Sequence, residues 1–146
     1  MVESSQLHDV GKIFITDNIL KKPGKLNFDE FEDMKVHTNI GKQIVEKVTM
    51  LAKEGEFLKY AIIFTESHHE KWDGTGYPNR LKGKDIPLLG RIMAIPDVYD
   101  ALVSDRPYKN AYTHDDAVKI IIEGSGTQFD PDLIEIFTKV SGQFKD

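Results

Sequence analysis

What most limits the folds open to this chain is its periodicity. Apolar side chains return every three or four residues, and no segment alternates convincingly with period two. Helices are expected and a sheet is not. Asn27 followed by Glu30 has the form of a capping box, with Leu26 and Phe31 at the flanking staple positions, so a helix is expected from residue 28 to about 51. Its apolar stripe reads Phe31, Met34, Gly41, Ile44 and Val48, with His37 in the gap. A second helix, from 57 to about 69, puts Ala61, Phe64 and His68 on one line and Leu58, Ile62, Thr65 and His69 on the next. Residues 73 to 87 hold too much Gly and Pro for a helix and read as an ordered loop. Helical spacing resumes from 88 to about 104, with a kink expected at Pro96 and with Gly90, Ala94, Asp97 and Ala101 on one line. Thr113 with Asp116 caps a helix ending near 124, and Asp130-Pro131 opens a last one reaching about 140. The expected class is all-α.

Composition narrows the setting. With 146 residues, 40% of them hydrophobic and 29% charged, the chain can bury a core as one domain spanning 1–146. The absence of cysteine excludes a disulfide scaffold, a thiolate nucleophile and any Cys-based zinc site. No apolar run nears the ~18 residues of a membrane span, and the first five residues lack the pattern of a signal peptide, so a cytoplasmic protein is expected. A balance of 19 Lys and Arg against 24 Asp and Glu, net −5, argues against a protein that coats DNA or RNA.

Histidine is where the sequence stops being ordinary. Four of the five, His8, His37, His68 and His69, lie in the first half near Asp9, Glu66 and Glu70, whereas His114 stands apart. Each alone has a plain explanation, as a surface His-Asp pair or a hydrogen-bonded core imidazole. Adjacent histidines at the end of an apolar helix have little packing value, however, and neutral imidazole is a common ligand for transition metals. Together with Asp9 and Asp97, which has small neighbours along its line, they form a nitrogen and oxygen donor set suited to Fe, Mn or Zn rather than Ca or Mg. If Asp9 bridges, two ions can share the site, and paired ions of this kind hydrolyse phosphodiesters. Lys12, Arg106 and Lys109 offer partners for phosphate.

In order along the chain come His8-Asp9-Val10-Gly11-Lys12, Lys35-Val36-His37, the run from His68-His69-Glu70 through Asp73-Gly74-Thr75-Gly76-Tyr77-Pro78, Asp97-Val98-Tyr99-Asp100-Ala101-Leu102, Arg106-Pro107-Tyr108-Lys109, and Ser125 to Pro131. This set, covering residues 6 to 140, resembles the signature of the HD-GYP domain, a branch of the HD phosphohydrolases. The resemblance implies an all-helical HD bundle that hydrolyses cyclic di-GMP to pGpG, in some members onward to GMP, at a two- or three-metal centre holding iron or manganese. It assigns His8, Asp9 and Asp97 to one metal, with Asp9 bridging, and His37, His68 and His69 to its neighbour. His8, Asp9 and Lys12 would be catalytic. Lys12, Arg106 and Lys109 would contact substrate phosphates, and Asp73, Gly76, Tyr77 and Pro78 would form the loop that governs substrate access and docks partners such as diguanylate-cyclase domains. Family members carry further helices before the His-Asp pair, where only seven residues precede His8 here. The expected domain is therefore shortened at its N-terminus, with apolar surface uncovered near His37 and His68-His69 and a homodimer as the consequence. The alternative expectations are a weak or inactive module that binds cyclic di-GMP or a signalling partner, and an HD hydrolase of another nucleotide, against which the Gly-Tyr-Pro loop speaks.

Overall fold

A computed structural model describes residues 2–52, 56–105 and 110–144. Helix α1 (Val2–Ser5) and a 3-10 turn (Val10–Phe14) bracket the His-Asp pair, and a short α2 (Asp17–Leu20) leads into the long α3 (Phe28–Ala52). Helices α4 (Glu56–Ser67), α5 (Leu88–Val103), α6 (His114–Glu123) and α7 (Pro131–Val140) follow, with 3-10 turns at Gly83–Asp85 and Ser141–Phe144. The described residues contain no strand, only an isolated bridge between Ser125 and Phe129. The class is all-α. No helix is long and apolar enough to cross a membrane among the described residues.

The helix starts are where local chemistry puts them. The Glu30 amide donates to Asn27 Oδ1 at 2.9 Å and the Asn27 amide donates to Glu30 Oε2 at 2.8 Å, closing the capping box at α3. The Asp116 amide donates to Thr113 Oγ1 and the Asp132 amide to Asp130 Oδ1, which caps α6 and α7. Helix α5 runs unbroken through Pro96.

Two expectations about faces are corrected. The buried side of α3 is His37, Thr38, Gly41 and Val45, whereas Phe31 and Val48 from the expected stripe are exposed. Only Gly41 belongs to both sets, because a 3-10 turn and α4 pack against the polar side of the helix. The second correction concerns α4, which ends at Ser67, so that His68 and His69 occupy the turn beyond it. Gly11 and Lys12 lie within the 3-10 turn, and His8-Asp9 precede it.

The turn reaches α3 because residue 11 is glycine. A Cβ there would stand 1.9 Å from the His37 carbonyl oxygen and 2.6 Å from the Gly41 amide nitrogen, so any side chain would push Asp9 away from α3. Below the turn, Val45, Leu58 and Ala61 form a small apolar cluster with Leu7, Val10 and Ile62 around it. A larger one, Ala94, Ile95, Ile121, Phe129, Ile134 and Phe137, joins α5, α6 and α7. Along α3, Phe28, Val36, Val48, Met50 and Leu51 remain exposed.

Candidate metal centre

Four elements converge on Asp9. The turn before Val10 supplies His8 and Asp9, α3 supplies His37, the turn after α4 supplies His68 and His69, and α5 supplies Asp97. Asp9, His37, His68 and His69 each bring a donor atom within 4.8 Å of the others, as do His8, Asp9 and Asp97. The turn after Ser67 makes this possible for the adjacent pair: on a helix their side chains would diverge by ~100°, but here the two rings lie 4.0 Å apart.

Three imidazoles are oriented in the same way. Nδ1 lies 2.6 Å from the Ser5 carbonyl in His8, 2.6 Å from the Met34 carbonyl in His37 and 2.7 Å from the Phe64 carbonyl in His68. A ring that donates from Nδ1 to a carbonyl leaves Nε2 as the outward atom, the arrangement that fixes a metal-ligating histidine. Those Nε2 atoms face acid. His37 Nε2 stands 3.4 Å and His68 Nε2 3.7 Å from Asp9 Oδ1, and all three of these buried atoms are without a hydrogen-bond partner. Buried polar atoms are rarely left so. Two ring nitrogens turned toward an anionic carboxylate oxygen make a nitrogen and oxygen donor set of the kind that holds a cation, so the residues present fit a metal ion.

The ionisation of the rings agrees with that division. Burial drives His37 and His69 toward the neutral form, His69 down to about 3 with His68 adding to the effect. Burial opposes charge on His8 too, but Asp9 and Asp97, at 3.3 and 3.6 Å from its Nε2, outweigh it and raise the ring to about 10. For Asp9, burial favours the acid form and is overcome by His68, His8 and Lys12, which hold the carboxyl well below the ordinary carboxylate range. The Lys12 ammonium lies 2.5 Å from Asp9 Oδ2, on a candidate metal ligand rather than on open solvent.

The Gly-Tyr-Pro loop forms one wall. The Tyr77 amide donates to the His69 carbonyl at 3.2 Å and the Tyr77 ring lies 4.7 Å from the His69 ring at 31°. Gly76 lies against backbone, where a Cβ would stand 2.3 Å from the Lys71 nitrogen and 2.6 Å from the His69 oxygen. Pro78 lines the cleft beside Tyr77. Asp73 faces its own loop, accepting from the Thr75 amide and hydroxyl, and its amide donates to the Thr127 carbonyl. Arg106 and Lys109 lie outside the described residues.

One residue that holds this wall, Glu70, stands in the His68-His69-Glu70 run but has no site role assigned from the sequence. The Glu70 carboxylate, 3% exposed, accepts from the Asn79 amide at 2.7 Å and the Leu81 amide at 3.0 Å, clamping the return of the loop. Burial raises its pKa although those amides pull the other way. A carboxylate placed just before a long loop rich in Gly and Pro is the one hint the sequence offers. The segment 125–131 serves the same loop: Trp72 donates to the Gln128 carbonyl, and Asp130 pairs with Arg91 at 2.6 Å.

Comparison with known families settles the relationship. The family model described as HD domain matches residues 2–133. The chain belongs to the HD domain family. Its ordered motifs and relatives make it an HD-GYP-type member. A protein of Vibrio cholerae serotype O1 named cyclic di-GMP phosphodiesterase is 51% identical over 99% of this chain and 29% of its own length. One of the same name from Thermotoga maritima is 42% identical over 98% of this chain and 38% of its own length. A Vibrio cholerae protein named 3'3'-cGAMP-specific phosphodiesterase 2 is also 42% identical, over 97% of this chain and 26% of its own length. The chain thus spans well under half the length of these relatives. Among solved structures, a cyclic GMP-AMP specific phosphodiesterase of Vibrio cholerae shares the fold, with a TM-score of 0.53 at 19% identity over 94% of this chain and 36% of that one.

Proposed function

We propose that this HD domain is a metal-dependent phosphodiesterase that hydrolyses cyclic di-GMP to linear pGpG, with GMP as the product of a second cleavage, in cytoplasmic bacterial second-messenger signalling. The observation that carries the reading is the trio of unpartnered buried atoms, Asp9 Oδ1, His37 Nε2 and His68 Nε2, turned toward one another. In this reading His8, Asp9 and Asp97 would hold one divalent ion and His37, His68 and His69, with Asp9 common to both groups, would hold a second. Iron or manganese suits imidazole and carboxylate together. Ions held there supply a nucleophile at neutral pH and positive charge for the phosphoryl oxygens.

The chain's own groups do the rest. His8 would serve as a ligand in its neutral form, and the carbonyls behind His8, His37 and His68 keep the rings aimed. Lys12, released from Asp9, turns to a substrate phosphate, where Arg106 and Lys109 are also assigned. Tyr77 buttresses His69 and, with Asp73, Gly76 and Pro78, borders the approach. Cyclic di-GMP is preferred to 3'3'-cGAMP because the relative at 51% identity carries the former name, and those named for cGAMP are at most 42% identical. Diguanylate-cyclase domains are the partner class for the loop, and the exposed apolar side chains of α3 favour a homodimer.

Protein purified anaerobically, analysed for metal and assayed with cyclic di-GMP, tests this. Turnover that disappears in His68→Ala and Asp9→Ala is expected. Full metal content without hydrolysis of any cyclic dinucleotide would refute it. A second reading, a module that binds cyclic di-GMP without turnover, draws on the His8 side, where three residues supply donors against four on the other. Calorimetry separates the two, since tight binding with no product formation belongs only to the second.

A further inference from the structure

Beside the metal centre, between α3 and the Gly-Tyr-Pro loop, lies a cleft of about 630 Å³, within the range of small-ligand sites. Its charged lining is Lys35, Lys71 and Arg80 against a single carboxylate, Glu32. Glu32 is already taken, by Lys35 at 2.5 Å. Lys71 and Arg80 have no ion-pair partner among the described residues. In a chain of net charge −5, a concave surface with this surplus of cations is out of keeping with the rest and attracts anions.

The cleft and the metal centre share one wall. Tyr77 lines the cleft, and its ring lies 4.7 Å from that of His69. On the cleft side the Lys35 ammonium stands 5.7 Å from the Tyr77 ring and 4.8 Å from that of Phe31, so a cation shares this wall with the aromatic rings. The chemistry offered is therefore that of phosphate recognition, a guanidinium and two ammonium groups.

A cyclic dinucleotide carries two phosphodiesters in one ring, and only one of them can be at the metal centre at a time. We propose that this cleft holds the other, the phosphate that is not being cleaved, on Lys71 and Arg80 with Lys35 behind them. The inference rests on the phosphodiesterase reading above and adds to it a reason for preferring cyclic dinucleotides to simple diesters.

The test compares cyclic di-GMP with bis(p-nitrophenyl) phosphate, a diester that has no second phosphate, on the metal-loaded protein. In the double variant Lys71→Ala, Arg80→Ala the ratio of KM for cyclic di-GMP to KM for the small diester should rise about tenfold or more, with kcat for cyclic di-GMP within about twofold. The charge-keeping variant Lys71→Arg, Arg80→Lys should restore most of that ratio, which a merely structural role would not require. Added salt should raise KM for cyclic di-GMP more steeply in the wild type than in the double alanine variant. An unchanged ratio overturns the cleft assignment and leaves the phosphodiesterase reading standing. A wild-type protein that cleaves the small diester and no cyclic dinucleotide overturns both.

Discussion

The two halves of the molecule are built on opposite principles. In α5 to α7 the interior is apolar, with Ala94, Ile95, Ile121, Phe129, Ile134 and Phe137 in one cluster. In α1 to α4 and the turn that follows, the apolar cluster among the described residues is Val45, Leu58 and Ala61, Phe64 is buried beside it in sequence, and Ser4, His37, Thr38, Thr65, Ser67 and His68 are buried polar positions. One half is held by hydrophobic burial, which needs no ligand. The other encloses imidazoles and a carboxylate whose inward atoms lack partners, so its stability depends on what it binds. The site is thus expected to tighten when loaded, and the apolar half to act as the rigid base that delivers Asp97.

The change that breaks this contrast most sharply is Asp9→Asn, which keeps the size and removes the charge. Hydrolysis should fall about a thousandfold or more and bound metal should drop in elemental analysis, while the circular dichroism of the helices persists. Phe137→Ala attacks the other half. It should cost about 3–5 kcal/mol in denaturant unfolding and leave the metal content of the folded fraction unchanged. Chelation comes next: stripping metal held at about 100 times its Kd should remove about 2.7 kcal/mol of stability, with faster hydrogen exchange in α3 and α4 than in α6 and α7. Equal loss in both halves would show that they fold as one unit.

Protons compete with metal for the same atoms. His8 in the metal-free protein keeps its proton up to about pH 10, against an ordinary value of 6.5, so metal affinity should climb by up to about tenfold per pH unit as pH rises toward 10. For metal-free stability the His8 contribution is complete below 6.5 and is lost as pH rises through about 10. His69 acts in the reverse sense: its ring is held neutral down to about 3, so its contribution is lost as pH falls from 6.5 toward 3. A stability maximum near neutrality, flattened by saturating metal, is the expected profile in thermal unfolding. The smallest effect is that of Thr113→Ala, about 1 kcal/mol from the loss of the α6 cap, with no change in KM.

Much of the fold is legible because helix starts are decided within four residues. Asn27 with Glu30, Thr113 with Asp116, and Asp130 before Pro131 each mark a boundary that the structure keeps. The ligand types at the site are legible for a similar reason, since neighbouring His68 and His69 and the His8-Asp9 pair are conspicuous in any order of reading. The side of α3 that is buried was not, because the 3-10 turn at Gly11 covers a polar stripe and leaves Phe31 and Val48 outside. Nor was Glu70, whose partners at Asn79 and Leu81 are amides that any sequence would offer.

By itself, then, the sequence determined the five longer helices, the caps of α3, α6 and α7, and a nitrogen and oxygen donor set with no thiolate, since these depend on residue type and short spacing. Tertiary structure alone decided that His68 and His69 converge rather than diverge, that Asp9 meets both of them and His37 of α3, and that unpaired cations gather beside Tyr77. Convergence of that kind depends on how helices pack across dozens of residues, through contacts such as Gly11 on α3, and local spacing carries no record of it.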